Sequence, residues 1–178
     1  MLATLGSTAQ TTAAPGSRDS SLVKDFNARA KRYIEWRNKT AGNTPSASNS
    51  AEKLDGERQA LANKIRTARA GAKQGEIFAP EIAQYFRRQI AATLRGDNGH
   101  AIRTTLRHSE PVKGELQINQ SYPENVPLQS TPPTLLLNLP ELPKGLEYRI
   151  LGQELVLRDI DANIVVDYVP NALPDIAK

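Results

Sequence analysis

From Ser21 onward the apolar residues Leu22, Phe26, Ala30, Tyr33 and Ile34 recur at spacings of three and four, and Arg37 continues the same stripe. That period predicts a helix with one face turned inward. Residues 40–50, TAGNTPSASNS, break the pattern with Gly42 and Pro45 and read as a linker. Asn49 followed by Glu52 resembles a capping box, and Leu54, Leu61, Ile65, Ala68 and Ala72 then predict a second helix running to about Gly71. In IFAPEIAQYFRRQIAATLRG, Pro80 occupies a first-turn position, Ile82, Tyr85, Phe86, Ile90 and Leu94 share a face, and Arg95 with Gly96 forms a stop. A short fourth helix over about 98–108 would bury Ile102 and Leu106.

After Glu110 helical spacing disappears, and nine of the twelve prolines fall between Pro111 and Pro174. Extended structure is expected instead. ELQINQSY alternates through Leu116 and Ile118, TLLLNL is a short apolar run, and LEYRI sets Leu146, Tyr148 and Ile150 opposite Glu147 and Arg149. ELVLRD and NIVVDYV, joined by a few polar residues, predict a hairpin over 154–169.

These patterns give an α+β fold in which three to four N-terminal amphipathic helices pack on a small C-terminal antiparallel β-module. The expected divisions are a disordered tail or signal remnant at 1–20, a helical region at 21–109, a Pro-rich connector at 110–133 and the β-module at 134–178. Residues 21–178 would form one domain, because an isolated hairpin is marginal in water and needs cover. Ile82, Phe86 and Ile90 are expected to meet Leu155, Leu157, Ile164 and Val166 in a shared core.

Composition narrows the chemistry. The chain has 178 residues and no cysteine, which excludes disulfides, thiolate metal sites and thiol nucleophiles. Lys and Arg exceed Asp and Glu by 18 to 10 up to Glu110, and fall short of them by 5 to 9 from Pro111 onward. The basic half could face an anionic partner, or the two halves could dock on each other. Lys31, Arg32, Lys64, Arg66, Arg69, Arg87 and Arg88 are the candidate contacts for an anionic partner. No apolar run reaches the roughly 20 residues that span a bilayer. The opening MLATLGSTAQTTAAPG has the small-residue texture of a signal-peptide end without its basic leader and apolar stretch, so a clipped remnant and a mobile tail are both open.

Motifs of catalysis are missing. There is no GxSxG, HExxH or glycine-rich phosphate loop, and GAKQG at 71–75 lacks the rest of a Walker motif. DIDAN at 159–163 opens like a calcium loop, but Ile164 and Pro170 stand where the turn glycine and the bidentate glutamate belong. A hairpin turn is expected there, since Asp and Asn favour turns. His100 and His108 are eight residues apart, about 80° around a helix axis, and cannot chelate one ion together. RGD at 95–97 coincides with the expected end of the third helix. No cofactor is expected, and enzymatic activity is the less favoured expectation; a carboxylate pair assembled from distant residues would leave no local signature.

GEIFAPEIAQYFRRQI together with PPTLLLNLPELPKGLEYRILGQELVLRDIDANIVVDYVPNALP resembles a family of uncharacterised bacterial proteins that are often exported. The likeness spans about residues 20–175, and its specific part is the succession EYRI, LVLRD, IVVDYVP. It implies a periplasmic or secreted setting, with a cytoplasmic one as alternative, and carries over no catalytic residue. The combined expectation is a non-catalytic exported binding or scaffold protein with an unknown protein or an anionic surface as partner. A hydrolase using a carboxylate pair and a binder of nucleic acid or another anionic polymer are the rival expectations.

Overall fold

Most of the stripes predicted along the helices exclude water, but Ala68 of the second stripe is exposed and Ala72 lies past the end of its helix. In a computed structural model, which describes residues 15–40, 50–97, 99–107, 116–123 and 132–173, the helices are α1 (Pro15–Thr40), α2 (Ala51–Ala68), α3 (Pro80–Arg95), α4 (Gly99–Arg107) and α5 (Pro133–Leu136). The strands β1 (Leu146–Leu151), β2 (Glu154–Asp159) and β3 (Ile164–Val169) form an antiparallel sheet in that order. The fold is α+β, with the helices N-terminal and the sheet C-terminal. No described helix is long and apolar enough to cross a membrane.

Helix α1 starts at Pro15, inside the segment expected to be a tail, because a proline at a first helical position forfeits no intrahelical hydrogen bond. Asp19 in that added turn accepts a 2.8 Å hydrogen bond from Arg88 of α3. The cap of α2 is one residue later than expected. Ser50 is the N-cap, its hydroxyl accepting from the Lys53 N–H and donating to Glu52. Asn49 and the rest of the 41–49 linker lie outside the described residues, as do His108, residues 1–14 and residues 110–115 and 124–131 of the connector. Helix α2 stops at Ala68 rather than at Gly71, where the Arg69 N–H closes on the Ile65 carbonyl.

The main core joins Phe26, Ala30 and Tyr33 of α1, Ile82, Phe86 and Ile90 of α3, and Ile102 and Leu106 of α4 with Tyr148, Leu155, Leu157 and Val166 of the sheet. Phe86 is at its centre, edge-on to Phe26 at 4.9 Å, to Phe78 at 5.0 Å and to Tyr85 at 5.7 Å. Ile164 departs from the expected arrangement. It lies with Ala162 beneath Leu61, Ala62 and Ile65, in a second cluster roofed by α2 rather than α3. The TLLLNL run is not extended: it forms the single turn of α5, which buries Leu135 and leaves Leu137 79% exposed.

β1 and β2 turn through Gly152 and Gln153, and β2 and β3 turn through DIDAN. The β2–β3 ladder slips between Leu157 and Arg158, which oppose Asp167 and Val165 and leave Val166 unpaired. This bulge turns the side chains of Val166 and Asp167, successive in sequence, to the helix side of the sheet. On the other face Leu151, Val156 and Val165 pack with Tyr122. ELQINQSY is not a regular strand, but it lies along β3, where the Asn119 and Tyr122 N–H groups donate to the Val165 and Asn163 carbonyls and the Val165 N–H donates to that of Gln120. The alternation read there serves this lateral pairing, broken by Asn119 at φ 65°.

Candidate functional site: an arginine-lined cleft over α1

Arg29, Arg32, Tyr33 and Trp36 are spaced at three and four, so they share one side of α1. Across from them the end of α2 and the following loop contribute Ala68, Arg69, Gly71, Ala72, Glu76 and Ile77, enclosing an open cleft of about 430 Å³.

The three guanidiniums of the cleft are held differently. Arg29 Nε donates to Asp25 at 3.0 Å and its Nη1 to the Glu76 carbonyl at 2.8 Å. Arg69 is fixed by Asn119 Oδ1 at 3.0 Å, the Val166 carbonyl at 3.4 Å and Glu76 Oε2 at 3.0 Å, with its guanidinium 5.1 Å above the Tyr33 ring. Arg32 makes no ion pair or hydrogen bond among the described residues and is exposed. Glu76 is the single carboxylate among the lining residues. Its Oε1 accepts from the Lys73 N–H at 3.0 Å.

Two buried carboxylates pin the walls of the cleft from below. The Tyr33 hydroxyl donates to Asp159 Oδ2 at 2.9 Å, and Asp159 is paired with Arg37 of α1 at 3.3 Å. Arg37 is 2% exposed and also holds Asp161 at 2.8 Å. Asp159 further accepts the Asp161 and Ala162 N–H groups, each at 3.0 Å, so the hairpin turn is built around it. Burial pushes the Asp159 carboxyl above its ordinary range against the pull of Arg37, the Ala162 N–H and the Tyr33 hydroxyl. Burial and then the nearby Asp159 charge push the Tyr33 phenol well above its usual range. Gly145 crosses directly over Arg37 with φ +97°, and a Cβ there would sit 3.3 Å from Arg37 Nη2.

The second carboxylate is Asp167. Its two oxygens accept the N–H groups of Gly75 at 2.8 Å, Ile77 at 2.7 Å and Phe78 at 2.8 Å, so the loop carrying Glu76 is wrapped around it. The Tyr168 N–H adds a fourth bond at 2.8 Å. Burial raises the Asp167 carboxyl, opposed by these donors. Gly75 enters this arrangement at φ +91°, a left-handed conformation that side chains disfavour.

Of the residues predicted to contact an anionic partner, Arg32 and Arg69 meet in the cleft. Lys31 does not line it and is exposed 3.7 Å from Glu35, and Lys64 is exposed on α2. Arg66 is spent on the Asn119 carbonyl and the Ser121 hydroxyl, and Arg87 on the Pro170 carbonyl at 2.8 Å. Arg88 pairs with Asp19 on another face and lies 5.9 Å over the Tyr85 ring. Arg29, not singled out from sequence, completes the site; its spacing of three and four from Arg32 and Tyr33 was the available signal. His100 is exposed on α4, and Gly96 of RGD caps α3. Among the described residues no group of three or more His, Asp and Glu side chains is placed to hold a metal ion.

Comparison of the chain with protein-family models, with curated proteins and with solved structures finds no match in any of the three.

Proposed function

We propose that this is a non-catalytic binding or scaffold protein whose partner presents negative charge to the α1–α2 cleft, in the exported setting that the sequence resemblance implies. The observation that carries the reading is the convergence of Arg29, Arg32 and Arg69 on one cleft, with Arg32 left without a partner among the described residues. A surface arginine without a counter-charge costs little, yet three guanidiniums facing one cleft from both walls, against the single lining carboxylate of Glu76, give a positive potential that steers and holds anions. The volume falls within the roughly 300–1,000 Å³ of small-ligand clefts. Tyr33 and Trp36 supply the flat apolar surface such clefts use beside their few polar groups. With Glu76 as the single carboxylate lining it, the cleft does not assemble the paired acids of a carboxylate hydrolase.

Trp36 is the chain's one tryptophan and lines the cleft, so its fluorescence reports on the site directly. Titration with polyphosphate and with a DNA oligonucleotide at rising salt is expected to change Trp36 emission, with affinity that falls as salt rises and a further loss in Arg32→Ala. Absence of any anion-dependent change at low salt, or binding indifferent to ionic strength, would overturn the proposal.

A further inference from the structure

Resting on the cleft as an anion site, we infer that its ligand carries a phosphomonoester-type dianion and that Glu76 holds the ligand's place until it arrives. The argument is one of charge placement. Arg29 is balanced by Asp25, Arg69 by Glu76, and Arg32 by nothing among the described residues, so the resting cleft presents one uncompensated positive charge. A monoanion would satisfy Arg32 and leave Glu76 where it is. A dianion matches the cleft only if Glu76 releases Arg69, which exposes a second guanidinium on the facing wall.

The structure is built for that exchange. Arg69 does not depend on Glu76 for its position, because Asn119, the Val166 carbonyl and the Tyr33 ring hold it in place. Its side chain is 9% exposed whereas that of Glu76 is 46% exposed, so the carboxylate is the member able to swing outward, giving up the Lys73 N–H as it does so. The Glu76 backbone stays fixed meanwhile. Its carbonyl accepts from Arg29, and the neighbouring Ile77 N–H is locked on Asp167. A half-exposed ion pair and one solvent-accessible hydrogen bond are weak in water, while a phosphoryl group gains forked hydrogen bonds from Arg32 and Arg69 together. The same group is presented by a soluble phosphomonoester and by a lipid headgroup such as phosphatidic acid.

The test is Trp36 fluorescence titration of the full chain with phenyl phosphate, with benzoate as the monoanion, and with phosphatidylcholine vesicles doped with phosphatidic acid. Phenyl phosphate or the doped vesicles should bind more tightly than benzoate. Glu76→Gln, which keeps the shape and removes the competing charge, should tighten phosphomonoester binding up to about fivefold. Arg32→Ala should abolish the preference for the dianion. Arg32-dependent binding of phenyl phosphate or of the doped vesicles that Glu76→Gln tightens supports the inference, and which of the two binds tells whether the group arrives free or on a membrane. If binding depends on Arg32 but Glu76→Gln leaves it unchanged or weaker, or if benzoate binds as well as phenyl phosphate, the inference fails and the anion site stands. If neither the wild type nor Glu76→Gln binds any of the three probes, the inference and the anion site both fail. Unchanged circular dichroism melts for these exposed positions separate loss of binding from loss of fold.

Discussion

Asp159 and Asp167 are both fully buried on the β2–β3 hairpin, one at its turn and one at its bulge, and the chain neutralises them by different means. At the turn, Asp159 meets a guanidinium that α1 has carried into the core. At the bulge, Asp167 meets no cation among the described residues; it is surrounded by backbone N–H groups of the loop between α2 and α3 and of its own strand. The first solution binds a side chain to a side chain and ties one helix to the hairpin. The second binds a side chain to a backbone and so dictates the path of a loop. The cleft sits between them, with Tyr33 reaching down to Asp159 and Glu76 held up by the residues that grip Asp167. Its arginines are presented by a scaffold anchored twice.

Removing one partner of the buried pair should break the comparison hardest. Arg37→Ala is expected to cost about 3–5 kcal/mol in urea denaturation, because it strands Asp159 without a counter-charge. Combining Arg37→Met with Asp159→Asn should recover most of that loss, since a buried pair is dispensable once neither charge remains. Asp167→Ala is expected to cost roughly 3 kcal/mol, leaving buried N–H groups unsatisfied, and to shift Trp36 emission as the loop loses its path. No single compensating side chain should rescue it, which is where the two carboxylates part. Gly145→Ala should cost about 1–2 kcal/mol through its left-handed backbone and its closeness to Arg37, read as a lowered melting temperature.

The smallest effect is Tyr33→Phe, about 1 kcal/mol at neutral pH for one lost hydrogen bond. In alkali its sign reverses. The phenol is raised well above its usual range in the fold, so unfolded chains ionise first and the wild type loses stability as pH climbs past about 10. Tyr33→Phe should therefore lose less stability than the wild type over that range, measured by denaturant midpoints on either side of it.

The regular elements could be read in advance where local pattern and tertiary demand agree. The α3 stripe of Ile82, Phe86 and Ile90 and the alternation of Leu146, Tyr148 and Ile150 are both buried as their periods imply. TLLLNL misled because a short apolar run has no period, and the two prolines before it favour a helical first turn as readily as a strand. Arg37 lay on the apolar stripe of α1, yet its partners are 122 and 124 residues away, beyond any local pattern. The cleft was legible only in part. Arg32 and Arg69 stood in the basic half like many others, and nothing local separates them from Arg66 and Arg87, whose donors are taken up by backbone carbonyls far along the chain.

The doubled inward position at Val166 and Asp167 has a consequence for how the hairpin can vary. Deleting Val166 would leave Ile164, Val165, Asp167, Tyr168 and Val169 in strict alternation on the faces they now occupy, losing only one core side chain. Straightening the slip with all six residues kept would instead force one side to exchange its faces. If the Tyr168–Val169 end keeps its parity, Ile164 and Val165 trade places; if the turn end keeps it, Asp167 faces away from the Gly75–Phe78 loop. The slip itself is therefore what β3 must keep, because erasing it at full length dismantles either the roof of α2 or the loop that raises Glu76.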